Sequence, residues 1–109
     1  MLVLYQTEWC PYSHRVRMRL TELCVEWLAR PVSVDRAGRA AMQAVTGTRS
    51  IPTLVDDDAV VTGASDIIAH LESRYETPPD AHLHAEKLAR DEWPHWLELH
   101  GSGSGTPGP

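Results

Sequence analysis

The sequence predicts a mixed α/β domain in the order βαβαββα, a four-stranded sheet with helices on both faces. Three observations carry that prediction. A short apolar run, Leu2-Val3-Leu4-Tyr5, leads to Cys10-Pro11 and then into a stretch with helical spacing. A second apolar run, ending near Val34, follows that helix and can lie parallel to the first. Two further short runs flank Asp56-Asp57-Asp58 as a hairpin, and another helical pattern follows them.

Taken in order, Met1 to Tyr5 fits a strand buried on both faces. Pro11 falls at the first helical position, where a missing N–H costs nothing, and the helix is under way by about Ser13. Val16, Leu20, Leu23 and Cys24 stand at i, i+4, i+7 and i+8, one apolar face. Cys24 is therefore expected in the core as a small hydrophobe, with Arg15, Arg17, Arg19 and Glu22 mostly solvated. Trp27, Leu28, Val32 and Val34 mark a second strand within residues 25–34, and Pro31 puts it at an edge or a bulge. Asp35 can cap a helix over residues 37–45, whose apolar side is Ala40, Ala41, Ala44 and Val45, and Gly47 suits its end.

Ile51-Pro52-Thr53-Leu54-Val55 and Ala59-Val60-Val61 read as the hairpin strands, with Asp56 to Asp58 as the turn. Gly63 breaks the chain, and Ser65 or Asp66 opens a helix that turns Ile67, Ile68, Leu71 and Tyr75 inward. Pro78 and Pro79 end the domain core. Leu83, Leu88, Trp93, Trp96 and Leu97 suggest a further helix, broken near Pro94, that packs on the domain surface or on a second copy. The last nine residues are Gly, Ser, Thr and Pro only, a flexible tail. The expected organisation is a domain over residues 1–77, a helical extension over 78–100 and a tail over 101–109.

Chemistry concentrates where the first strand hands over to the first helix. Cys10 sits at or beside the N-cap, so the free N–H groups of Tyr12 and Ser13 and the positive end of the helix dipole should face its sulfur. Such a site favours the thiolate, which is the nucleophile in thiol–disulfide exchange. Arg15 could add positive charge, and Ser13 could donate a hydrogen bond to the sulfur.

Cys10-Pro11-Tyr12-Ser13-His14 resembles the active-site segment of glutaredoxins, usually Cys-Pro-Tyr-Cys-His, and the resemblance covers about residues 1–76. The amino-terminal domains of glutathione transferases are the related second resemblance. What the family implies is a glutaredoxin-type thioredoxin fold and a glutathione-dependent thiol–disulfide oxidoreductase. Ser13 stands where the second cysteine would be, which implies a monothiol route through Cys10, with Pro11, Tyr12 and Ser13 completing the catalytic segment. Arg49-Ser50-Ile51-Pro52-Thr53 resembles the segment with a cis proline facing the active cysteine. There the Ile51 backbone would pair with the cysteinyl part of glutathione, and Arg49 would bind the glycyl carboxylate. Gly63-Ala64-Ser65-Asp66-Ile67 is similar to a Gly-Cys-Ser-Asp-Leu segment, which gives Ser65 and Asp66 the γ-glutamyl end. The implied cofactor is glutathione or another low-molecular-weight thiol, and the implied partners are glutathionylated proteins or small disulfides. Two alternatives stay open. One is a stand-alone glutathione-transferase-like domain, with Ser13 or Tyr12 assisting a bound thiolate. The other is an iron–sulfur and glutathione binding module, which the stiff Pro11 disfavours.

Bulk properties narrow the setting. The 109 residues make one domain, short of the helical second domain of a full glutathione transferase. A net charge of −5 speaks against a nucleic-acid partner. No apolar stretch is long enough to cross a membrane, and no leader is visible. Two cysteines make no disulfide framework, so a reducing cytoplasm is expected, with the protein a monomer or weak homodimer. His82, His84, His95 and His100 invite a metal, but a segment without cysteine and with a helical break reads better as solvated histidines.

Overall fold

The computed structural model describes residues 1–89. Its chain forms two units, Met1–Pro79 and Asp80 onward. In the first, β1 (Leu2–Gln6), β2 (Leu28–Pro31), β3 (Thr53–Asp56) and β4 (Ala59–Thr62) make one sheet in the order β2-β1-β3-β4. β1 and β2 are parallel, as the connecting helix α1 (Pro11–Glu22) requires. The β1–β3 and β3–β4 pairs are antiparallel, with Leu4 opposite Leu54 and Tyr5 opposite Thr53. Helices α2 (Ala40–Thr46) and α3 (Ala64–Arg74) complete the thioredoxin-like fold that the sequence predicts.

Strand alternation divides the core. Leu2, Leu4 and Leu54 point to one face of the sheet, where Val16, Leu20 and Leu23 of the first helical segment meet Ala64, Ile67 and Leu71 of α3. Leu4, Val16, Leu20, Leu54, Ile67 and Leu71 are fully buried, each worth about 1.5–3 kcal/mol of transfer free energy. Arg19 ties this face together outside the core. It pairs with Glu22 at 3.4 Å and Glu72 at 3.3 Å and donates to the Thr77 hydroxyl at 3.1 Å.

The opposite face is thinner than expected. β1 reads buried, half-buried, buried along its length, so it is not covered equally on both sides. The cause is α2, only seven residues long, which leaves a groove of about 440 Å³ beside Tyr5, Met42 and Val45. Asp35 does cap a helical turn, through Ala37 N–H at 3.0 Å, but that turn is a separate 3-10 segment, Arg36–Gly38. The α-helix restarts at Ala40, and this reset turns Met42 inward. Ala40, Ala41, Ala44 and Val45, expected as the apolar side, are exposed.

Three other expectations are corrected. Cys24 is exposed, not core. α1 stops at Glu22, and Cys24 adopts a left-handed φ of 58°, so the helical period no longer applies to it. Asp56 is the buried last residue of β3 rather than part of the turn. Its carboxylate meets His70 Nε2 at 2.8 Å and the Arg74 guanidinium, which lets a charged group end a strand inside the protein. α3 opens earlier than Ser65, with Gly63 as its N-cap. Pro31 does lie on an edge strand.

Gly47 ends α2 with φ 80° and ψ 3°, the left-handed cap that glycine takes without cost. A Cβ there would touch nothing within 4 Å, so only backbone strain opposes a side chain. Gly47→Ala is expected to lower stability by about 1 kcal/mol, read as a lower urea midpoint; an unchanged midpoint would contradict the cap.

In the second unit, α4 spans His82–Ala89, with Leu83 and Leu88 exposed. The expectations for Trp93, Pro94, Trp96, Leu97, His95, His100 and the tail lie outside the described residues.

Candidate active site

Three chain segments meet at one end of the sheet because of the strand directions. β1 runs toward this end and delivers Cys10. β3 starts here, just after Pro52, and β4 finishes here, just before Gly63. The Gly63 N–H donates to the Pro52 carbonyl at 3.0 Å, which joins the start of α3 to the start of β3. The Ile51–Pro52 bond is cis, and Pro52 is buried. The Thr53 hydroxyl lies 2.6 Å from the Ser50 carbonyl and 3.1 Å from the Thr62 hydroxyl, fixing the turn into β3.

Cys10 is the N-cap residue of α1, with extended φ −77° and ψ 121°, and Pro11 is in the first helical turn as expected. Thr7 organises the turn before it. Its carbonyl accepts from the Cys10 N–H at 3.4 Å and from Arg17 at 3.1 Å, and its own N–H reaches the Ser13 hydroxyl oxygen at 3.5 Å. Ser13 is fully buried, while Trp9 and Tyr12 on either side of Cys10-Pro11 are exposed.

Cys10 is 7% exposed. Burial pushes its thiol up, but the Ser13 backbone N–H, the Ser13 hydroxyl, the Tyr12 N–H and the charge of Arg17 outweigh it and leave the thiol below its ordinary value. The sulfur closes no full N-cap hydrogen bond. Three of the causes, the two N–H groups at the helix start and the Ser13 hydroxyl, are those the sequence pointed to.

The cation at the Cys10 turn is Arg17 rather than the expected Arg15. Arg15 is exposed, whereas Arg17, expected in solvent, has a side chain only 17% exposed and turns back over the Cys10 turn. It donates to the Gln6 side-chain oxygen at 2.6 Å and to the carbonyls of Thr7 and Glu8 at 3.1 and 3.3 Å. A signal was available: Gln6 closes an apolar strand, and a buried amide needs a partner.

The other expected binding residues divide. Ser50, Ile51 and Pro52 belong to the segment joined to Gly63, and Ser65 and Asp66 stand exposed in the first turn of α3. The Arg49 side chain is engaged elsewhere. It donates to Gln43 Oε1 at 2.6 Å and to the carbonyls of Arg36 and Ala37 at 3.1 and 3.2 Å. Among the described residues no group of three His, Cys, Asp or Glu side chains is arranged for a metal ion, and none of the helices is long and apolar enough to cross a membrane.

Residues 4–79 match the family model of the glutathione S-transferase N-terminal domain. Solved transferase structures superpose on the chain. A glutathione S-transferase of Drosophila melanogaster does so at TM-score 0.63 and 28% identity, covering 78% of this chain and 42% of the fly chain. A delta-class glutathione transferase of Nilaparvata lugens gives 0.64 at 16% identity, over 74% and 38%. A human glutathione S-transferase in its apo form gives 0.64 at 22% identity, over 91% and 43%. This chain therefore spans less than half the length of those three proteins, and the last two likenesses speak for the fold alone. Among curated proteins, none matches the chain significantly in sequence.

Proposed function

The chain belongs to the glutathione S-transferase N-terminal domain family, and from that premise we propose that it is a glutathione-dependent thiol–disulfide oxidoreductase working through Cys10 alone. One observation carries the choice of chemistry: a sulfur, held below its ordinary pKa, occupies the N-cap of α1 with the Ser13 hydroxyl beside it. The substrate class is glutathionylated proteins or small mixed disulfides, and the thiol is glutathione or a similar small thiol. The setting is a reducing one such as the cytoplasm.

The step balances without a second cysteine. The Cys10 thiolate attacks the glutathione sulfur of a mixed disulfide, forming a Cys10–glutathione disulfide as the old S–S bond breaks. The substrate sulfur leaves as a thiolate and takes a proton from water. Cys10 is then released as thiolate by a second glutathione, with oxidised glutathione as the other product. Ser13 supports the thiolate at the start and end of the cycle. The first turn of α3, with Ser65 and Asp66, suits the charged γ-glutamyl end, and the Ile51 backbone suits the cysteinyl amide. A role for Arg49 at the glycyl carboxylate requires it to leave its present partners.

The family premise supports a second reading, conjugation of glutathione to an electrophile, with Ser13 or Tyr12 assisting a bound thiolate. An assay separates the two. The protein is mixed with a glutathionylated peptide and excess glutathione, and release of the peptide thiol is followed. Turnover above the uncatalysed rate is expected. Conjugation to a chromogenic electrophile with no peptide-thiol release would overturn the proposal in favour of the second reading.

A further inference from the structure

We propose that Arg17 is the positioning residue for Cys10, a clamp from the second turn of α1 that fixes the turn carrying the sulfur. Resting on the reading of Cys10 as the reacting thiol, it adds a residue that neither the motif nor its spacing marks.

The geometry is that of a planar fork laid across a turn. Arg17 Nη1 donates to both the Gln6 side-chain oxygen at 2.6 Å and the Thr7 carbonyl at 3.1 Å, while Nη2 donates to the Glu8 carbonyl at 3.3 Å. Three consecutive residues of the turn are held by one side chain. Gln6 passes the hold on, since its Nε2 donates to Glu8 Oε1 at 3.0 Å. The Thr7 carbonyl, gripped by Arg17, also accepts from the Cys10 N–H, so the clamp is one hydrogen bond from the nucleophile's backbone. A guanidinium does this where an ammonium cannot, because its donors are fixed in one plane and span several acceptors at once.

Charge works in the same direction. Arg17 is mostly shielded from water, and its cation favours the thiolate form of Cys10. The Glu8 carboxylate, 3.7 Å from Nη2 but largely exposed, offsets it weakly. The other ionisable side chains of the segments meeting at this end include Tyr12, His14 and Arg15 on α1, Arg49 before β3 and Asp66 on α3.

The test is alkylation of Cys10 by iodoacetamide as a function of pH, which needs no glutathione, run beside peptide-thiol release. Arg17→Gln is expected to move the inflection of the alkylation profile upward. It should slow alkylation about threefold to tenfold below the inflection, with the rates converging above it. Arg17→Lys should return the inflection to the wild-type position but leave kcat/KM for peptide-thiol release about threefold to tenfold low, because a single ammonium nitrogen cannot span the acceptors that Nη1 and Nη2 reach together. An unmoved inflection in a folded Arg17→Gln protein overturns the proposal. Should circular dichroism show Arg17→Gln unfolded, Arg17→Lys decides alone: wild-type kcat/KM in that variant overturns the clamp. Failure of the wild-type protein to release peptide thiol would instead count against the redox reading, with the alkylation profiles still interpretable.

Discussion

Replacing Cys10 by Ser is expected to remove peptide-thiol release down to the uncatalysed background, a loss of about 10³-fold or more. The reason is chemical before it is structural. Exchange requires a sulfur anion that attacks a disulfide sulfur and forms a new S–S bond, and a hydroxyl does neither at neutral pH. The substitution is small, and Cys10 sits at a helix start, where serine is itself a favoured cap, so the fold should survive it. The wild-type pH profile should rise as the thiol ionises and then level off. Because Ser13, Tyr12 and Arg17 hold the Cys10 thiol below its ordinary value, the plateau should begin at a lower pH than for a free cysteine. If Cys10→Ser keeps both release and its pH dependence, Cys10 is not the nucleophile. If it keeps conjugation while losing release, the domain has two activities and only one needs this sulfur.

The second large effect is expected far from the site, at Asp56→Ala. The Asp56 carboxylate is 4% exposed and holds His70 Nε2 at 2.8 Å together with the Arg74 guanidinium. Removing it leaves the half-shielded His70 and the Arg74 guanidinium without their acceptor. Arg74 is about half exposed and can return to water, which moderates the loss. A destabilisation of about 2–3 kcal/mol at neutral pH is expected. Burial pushes the Asp56 carboxyl up, but His70 and Arg74 outweigh it and depress it below the ordinary value. A depressed carboxylate contributes stability above its unfolded pKa of about 3.9, and that contribution is lost as pH falls through the folded value. The gap in urea midpoint between wild type and Asp56→Ala should therefore be full at neutral pH and narrow below about pH 4. Equal midpoints at neutral pH, or a gap that widens in acid, would show that Asp56 does not carry this load.

Much of the fold was legible because it rests on local periodicity. The i, i+4, i+7 spacing of Val16, Leu20 and Leu23 marks the residues that are in fact buried, and Ile67 and Leu71 do the same for α3. Cys10-Pro11 marked a helix start, since proline there is a backbone signal independent of tertiary context. The misses lie where one element ends or a tertiary partner intervenes. Cys24 kept the right phase after the helix that defined the phase had stopped. Asp56 looked like turn because its partners, His70 and Arg74, are on a helix many residues away. Arg17 looked solvated because its acceptors, two of them backbone carbonyls, carry no sequence signature. Family resemblance pointed to segments that meet beside Cys10 at one end of the sheet, but the engagement of Arg49 with Gln43, Arg36 and Ala37 is a matter of side-chain direction that a motif does not encode.

The two rims of the sheet have different consequences for how copies of this protein behave when concentrated or partly unfolded. On one rim β2 is four residues long and ends in Arg30-Pro31, a cation followed by a residue with no N–H to offer an incoming strand. Polymerisation by strand addition is thus guarded there by chemistry. The other rim, Ala59-Val60-Val61-Thr62, has neither charge nor proline within the strand, and Val60 is exposed; within the strand its shortness is the guard. Aggregates seeded from the native state should therefore grow from the β4 rim, and Val60→Lys would give that rim a charge as Arg30 gives one to β2.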